Sequence, residues 1–83
     1  MRATPGLSRA DQCRDLGLQV GDTIRWRTVW QNGYWSEAEL TLFWLGNDAA
    51  VFRVRERSMR KREWSDPHES CAWSLEFRDW RKV

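Results

Sequence analysis

The 83-residue sequence predicts a mainly β fold: a small twisted antiparallel sheet, or an SH3-like barrel, of four to five strands with a short N-terminal helix. Two observations carry this. The runs TIRWRTVW, EAELTLFWL and AAVFRVRER alternate in polarity with period two, as half-buried strands do. Between them stand Asn32-Gly33 and Gly46-Asn47-Asp48, residue types that fit hairpin turns.

The elements follow in chain order. Met1 to Leu7, with Pro5 and Gly6, reads as a loose lead-in to a single domain spanning residues 1–83. Ser8 followed by Asp11 is a helix-start signal, so SRADQCRDL forms two turns ending at Gly17. In the first strand Ile24, Trp26, Thr28 and Trp30 share one face, and Arg25, Arg27 and Val29 the other. In the second, Ala38, Leu40, Leu42 and Trp44 oppose Glu37, Glu39, Thr41 and Phe43. The third places Ala50, Phe52 and Val54 inward and Val51, Arg53, Arg55 and Arg57 outward. Ser58 to Ser70 is a charged loop holding Pro67. CAWSLEF then reads as a last strand, with Cys71, Trp73, Leu75 and Phe77 on one face.

Register follows from the need for buried faces to meet, because a one-residue slip turns every side chain over. With Gly46 to Asp48 as a three-residue loop, Leu42 meets Phe52 and Leu40 meets Val54 inside. Trp44 then meets Ala50. Outside, Thr41 meets Arg53, Glu39 meets Arg55 and Glu37 meets Arg57. The same demand on the first hairpin sets Trp26 beside Leu40, Arg27 beside Glu39 and Arg25 beside Thr41. That is one residue off what a two-residue Asn32-Gly33 turn gives, so either a bulge near Tyr34 or Trp35 or an inverted first strand is required, and the bulge is preferred.

These registers gather five arginines, Arg25, Arg27, Arg53, Arg55 and Arg57, around two glutamates. The face has an excess of three positive charges, more than the net +2 of the whole chain. Cross-strand glutamate–arginine pairs contribute about 0.2–1 kcal/mol each, so part of the row is structural. Phe43 and Val51 give it an apolar edge. The chain carries far more arginine than lysine, and arginine presents a planar fork for phosphate or carboxylate. Coding bias toward arginine would give the same composition.

The tryptophans divide likewise. Trp26, Trp30, Trp44 and Trp73 fall on core faces. Trp35, Trp64 and Trp80 lie at a turn, in the charged loop and near the C-terminus, where tryptophan either anchors a binding surface or covers an end of the sheet. The candidate binding residues are therefore Arg25, Arg27, Arg53, Arg55, Arg57, Phe43, Trp35 and Trp64.

Catalysis is not expected. Asp66, His68, Glu69 and Cys71 lack a second ligand pair at zinc spacing. His68 has no neighbouring nucleophile in a recognisable motif, and there is no glycine-rich phosphate loop. The glutamates stand among arginines, which lowers their pKa, the wrong direction for a general acid. Neither a metal nor an organic cofactor is implied. Cys13 and Cys71 read as reduced thiols, and no run reaches membrane length, so a cytoplasmic protein is expected.

GLQVGDTI, YWSEAELTLFWLG, AAVFRV and AWSLEFRDWRKV together resemble a group of short proteins of tailed bacteriophages and prophages. Their pattern is a GLxVGD entry, a WxEAxLTLLWLG strand, an AVWRV strand and a tryptophan-rich C-terminal strand. The resemblance covers Leu16 to Val83, with Phe43 and Phe52 standing where the pattern has leucine and tryptophan. VGD before a strand also resembles the entry to many SH3-like barrels. The phage resemblance implies a non-enzymatic accessory protein in the host cytoplasm that inhibits or sequesters a host target. That target would be a host protein or an anionic nucleotide-type ligand, such as a component or signal of an antiviral defence system. Two alternatives stay open: a single-stranded nucleic-acid-binding module, and a self-assembling structural protein that uses the arginine face as a homo-oligomer interface.

Overall fold

The computed structural model describes all residues, 1–83. One helix, α1 (Arg9–Asp15), precedes five strands: β1 (Thr23–Val29), β2 (Trp35–Leu45), β3 (Ala50–Ser58), β4 (His68–Ser70) and β5 (Arg81–Lys82). All pairings are antiparallel, in the order β4-β3-β2-β1-β5. The expected mainly β fold is present, in its open-sheet form. The edge strands β4 and β5 do not pair with each other, so no barrel closes.

The helix begins as the sequence indicates. The Ser8 hydroxyl accepts from the Asp11 amide (3.1 Å), capping one of the helix's free N–H groups. Arg14 in its last turn donates to the carbonyls of Gly46 and Asn47, fixing α1 over the β2–β3 turn. Gln12 is fully buried, and its side-chain carbonyl accepts from the Leu75 amide (2.8 Å).

One face of the sheet is the core side. Ile24, Ala38, Leu40, Leu42, Ala50, Phe52 and Val54 are buried there beneath Cys13, Leu18, Leu75 and Trp80. Leu42 opposes Phe52 and Leu40 opposes Val54, as the buried faces require. Arg53, Arg55 and Arg57 point to the other face.

Five expectations are corrected. In the first hairpin Leu40 lies opposite Ile24, not Trp26, and no bulge stands near Tyr34 or Trp35. Trp30 and Tyr34 close the turn (2.9 Å), and Gly33 holds φ 85° as the last residue of a three-residue loop. The bulge lies instead between Leu42 and Trp44. It carries Trp44 opposite Val51, onto the outer face, where Trp44 is 51% exposed.

CAWSLEF is not a strand. It wraps across the core side as coil, burying Leu75 and leaving Cys71 and Phe77 exposed; β4 forms earlier, in the last residues of the charged loop. Among the tryptophans, Trp80 is 2% exposed and packs against Trp26 and Trp73, whereas Trp30 is exposed. The Nε1 of Trp80 is the sole buried side-chain polar atom without a partner. Lastly, the lead-in is tied down: Ala3 is buried, and its amide donates to the Leu75 carbonyl (2.8 Å).

This core assignment makes a direct test. Leu40→Ala and Trp80→Ala should each destabilise the domain by roughly 2–5 kcal/mol, by lost burial and a residual cavity. Trp30→Ala should cost about 1 kcal/mol or less, mostly its stacking on Tyr34. Urea denaturation of the three variants measures the contrast.

Candidate functional site

The outer face is built on β2, the central strand. Alternation puts Glu37 and Glu39 on that face, and antiparallel pairing puts an arginine on each side of each carboxylate: Arg25 and Arg55 oppose Glu39, and Arg27 and Arg57 oppose Glu37. Arg25 and Arg27 thus stand one pair along from their expected positions. The two-residue shift preserves the face while exchanging the partners.

Both carboxylates are nearly out of water, at 6% and 4% exposure for Glu39 and Glu37. Glu39 accepts from Arg25 Nε (2.7 Å) through one oxygen and from Arg55 Nε (2.6 Å) through the other. Glu37 accepts from Arg57 Nε (2.7 Å) and lies 3.4 Å from Arg27 Nε. A buried carboxylate is unfavourable unless its lone pairs are occupied and its charge opposed, and here both conditions hold. Burial alone pushes the pKa of each glutamate up. The arginine hydrogen bonds and charges outweigh it, and both carboxyls end below their ordinary value.

Aromatic rings cover the guanidinium planes. The Trp64 ring lies 4.4 Å from the Arg57 guanidinium, 4.8 Å from that of Arg55 and 5.5 Å from that of Arg25. It therefore bridges β1 and β3 across the glutamates. Trp35 stacks on Arg27 (4.4 Å) and Phe43 on Arg53 (4.6 Å). All eight residues singled out from the sequence meet on this face. Four of the five arginines are engaged with the glutamates; Arg53 makes no ion pair.

Three residues of the face were not anticipated. Arg81 of β5 opposes Arg25, adding a sixth arginine to the outer face. Glu69 of β4 opposes Arg53, a carboxylate in register with it that forms no ion pair. Trp44 joins Phe43 and Val51 at the apolar end. An alanine methyl at Gly46 would fall 2.3 Å from the Trp44 ring, so glycine is what lets the ring lie against the turn.

Elsewhere, Asp66, His68, Glu69 and Cys71 form no group of metal-ligating side chains. Cys13 is buried, and burial pushes its thiol up to about 11 against the opposing effects of Arg14 and a backbone hydrogen bond, which keeps it protonated. No helix is long and apolar enough to cross a membrane. Comparison with known protein families, with curated proteins and with solved structures finds no match to this chain.

The carboxylates dictate a pH dependence. Above the ordinary value of 4.5, Glu37 and Glu39 are ionised in both folded and unfolded chains, and their stabilisation is complete. As pH falls through their lower folded values the folded chain takes up the protons and the stabilisation is lost. Thermal melts should show the midpoint falling below about pH 4.5, with a shallower fall in Glu37→Gln/Glu39→Gln. At neutral pH Glu39→Gln alone should cost about 2 kcal/mol, because two charge-assisted hydrogen bonds lose their ionised acceptor.

Proposed function

We propose that the protein is a non-catalytic binding module whose outer sheet face docks an anionic partner. The observation that carries this reading is the end of the face at the β2 bulge. There Arg53, free of any ion pair, stacks on Phe43, beside the half-exposed Trp44. Tryptophan and arginine dominate binding hot spots, and an exposed pair on a rigid sheet binds without first ordering a loop. The guanidiniums behind it add a positive field, and their orientation is fixed before the partner arrives.

The resemblance to phage proteins supports a more specific role: stoichiometric inhibition or sequestration of a host target. An antiviral defence protein or its nucleotide signal presents the carboxylates or phosphates such a surface would engage. Arg53, Arg55 and Arg57 also recur along β3 at about 6.6–6.8 Å, close to successive phosphates of an extended single strand. That spacing favours nucleic acid as the second reading, while the interleaved glutamates oppose it.

Capture from bacterial lysate on the immobilised protein, with and without nuclease, tests both. A protein retained after nuclease supports the first reading; binding that vanishes with nuclease and weakens steeply with salt supports the second. The double variant Arg53→Ala/Trp44→Ala should keep its thermal midpoint within a few degrees and lose the captured partner. Arg2→Ala/Arg62→Ala, in exposed segments, should retain it. Arg25→Ala is a poor probe, because its loss also strips Glu39 of a hydrogen bond.

A further inference from the structure

From the free edge of β1 we infer a second binding surface, one that accepts an extended acidic peptide as an added strand. The main chain shows it first. The Trp30 amide donates to Tyr34 across the first hairpin, so the even-numbered residues of β1 bond to β2. Odd-numbered residues face the other way: the Thr23 carbonyl accepts from Val83 (2.9 Å), and Arg25 pairs with Arg81. β5 ends there. Arg27 and Val29 are left aiming N–H and C=O groups at an edge with no strand on it, the template that strand addition uses.

The side chains define the occupant. An open groove of about 800 Å³ runs along this edge, with Trp26 and Trp80 on the core side and Arg25, Arg27 and Arg81 on the outer side. Its two carboxylates are already neutralised, Glu37 by Arg57 and Arg27 and Asp79 by the Met1 ammonium. Beyond it the edge continues to the exposed Val29 and Trp30. An added strand would send alternate residues to each side, acidic ones beside the arginines and apolar ones beside the tryptophans. β1 already recognises this pattern on its other flank, where β2 offers Glu37 and Glu39 alternating with Ala38 and Leu40. Arg81 makes no ion pair, and Arg27 is about half exposed with the longest of the four glutamate contacts, so both retain donors for a second carboxylate. A second copy of the chain is the poorer occupant: paired β1 to β1 it sets Arg25 and Arg27 against the same arginines, and its other edge strand, β4, is three residues long with the single carboxylate Glu69. Strand addition rests on the main-chain groups of β1 and is separate from the reading of the outer face; the choice of acidic residues uses Arg25, Arg27 and Arg81, which the two surfaces share.

The test uses the full chain and a short synthetic peptide alternating glutamate with valine, alongside its glutamine counterpart. Bound glutamate peptide should shift the Arg27 and Val29 amide signals and slow their hydrogen exchange. The Trp26 and Thr28 amides, already bonded to β2, serve as internal references. Val29→Pro removes an outward N–H at an edge, where proline is tolerated, and should weaken peptide binding at least about tenfold. The glutamine peptide should bind comparably poorly. No binding of the glutamate peptide, equal binding of the glutamine peptide, unaltered Arg27 and Val29 exchange, or wild-type affinity in a folded Val29→Pro would each overturn the inference. If Val29→Pro fails to fold, the exchange measurement on the unmodified chain decides. Concentration-dependent dimers that form without peptide and protect the same amides would assign the edge to self-association and overturn it too.

Discussion

Glu37 and Glu39 are two carboxylates taken out of water in the middle of a small sheet, and the outer face is arranged around them. A buried carboxylate needs donors from both sides, and only a central strand has neighbours on both sides to supply them. β1 and β3 therefore present arginine opposite each glutamate. Long guanidinium side chains held at Nε lie flat against the sheet, and Trp35 and Trp64 then cover their planes. The loop after β3 packs on the face because Trp64 finds three guanidiniums there. Replacing either carboxylate would release the arginines from this arrangement and leave their charges repelling one another.

The same constraint divides structure from recognition. Arginines engaged with glutamate have part of their donor set committed, so the sequence count of five overstates what is free. Availability falls to the margins: Arg53 at the bulge, Arg81 beyond β1, and the outer nitrogens of Arg27. The bulge supplies the aromatic part. By inserting one residue opposite β3 it turns Trp44 from the core side to the outer face and places it beside Phe43. The sheet thus offers two surfaces of different kind: a rigid basic-aromatic face made by side chains, and an unpaired edge made by main chain.

How much of this was legible in the sequence depends on which contacts are local. The second hairpin was readable around its middle because alternation and a short turn jointly fix which residues meet. The first was readable to its face but not to its partners. A slip of two residues keeps every side chain on the same side, so buried faces alone cannot detect it. Asn32-Gly33 suggested a two-residue turn, yet Gly33 serves as the third loop residue, which removes the need for the expected bulge. Trp44 was misplaced because a bulge leaves no periodic trace. CAWSLEF was misread, and the burial of Trp80 was left open, for one reason: coil that crosses a sheet buries residues by long-range contact, not by period. Arg81 reaches the outer face through the β1–β5 pairing, distant in sequence, which alternation within a strand does not encode.

The most direct test of the central claim is to observe the guanidiniums themselves. In ¹⁵N-edited NMR spectra at neutral pH, the Nε–H signals of Arg25, Arg55 and Arg57 should be sharp and slow to exchange, because each donates to a buried carboxylate. Those of Arg53 and Arg81 should exchange rapidly, and Glu39→Gln should free Arg25 and Arg55 while leaving Arg57 protected. If all these arginines exchange alike, or if Glu39→Gln changes none of them, the carboxylates do not organise the face and the account is wrong.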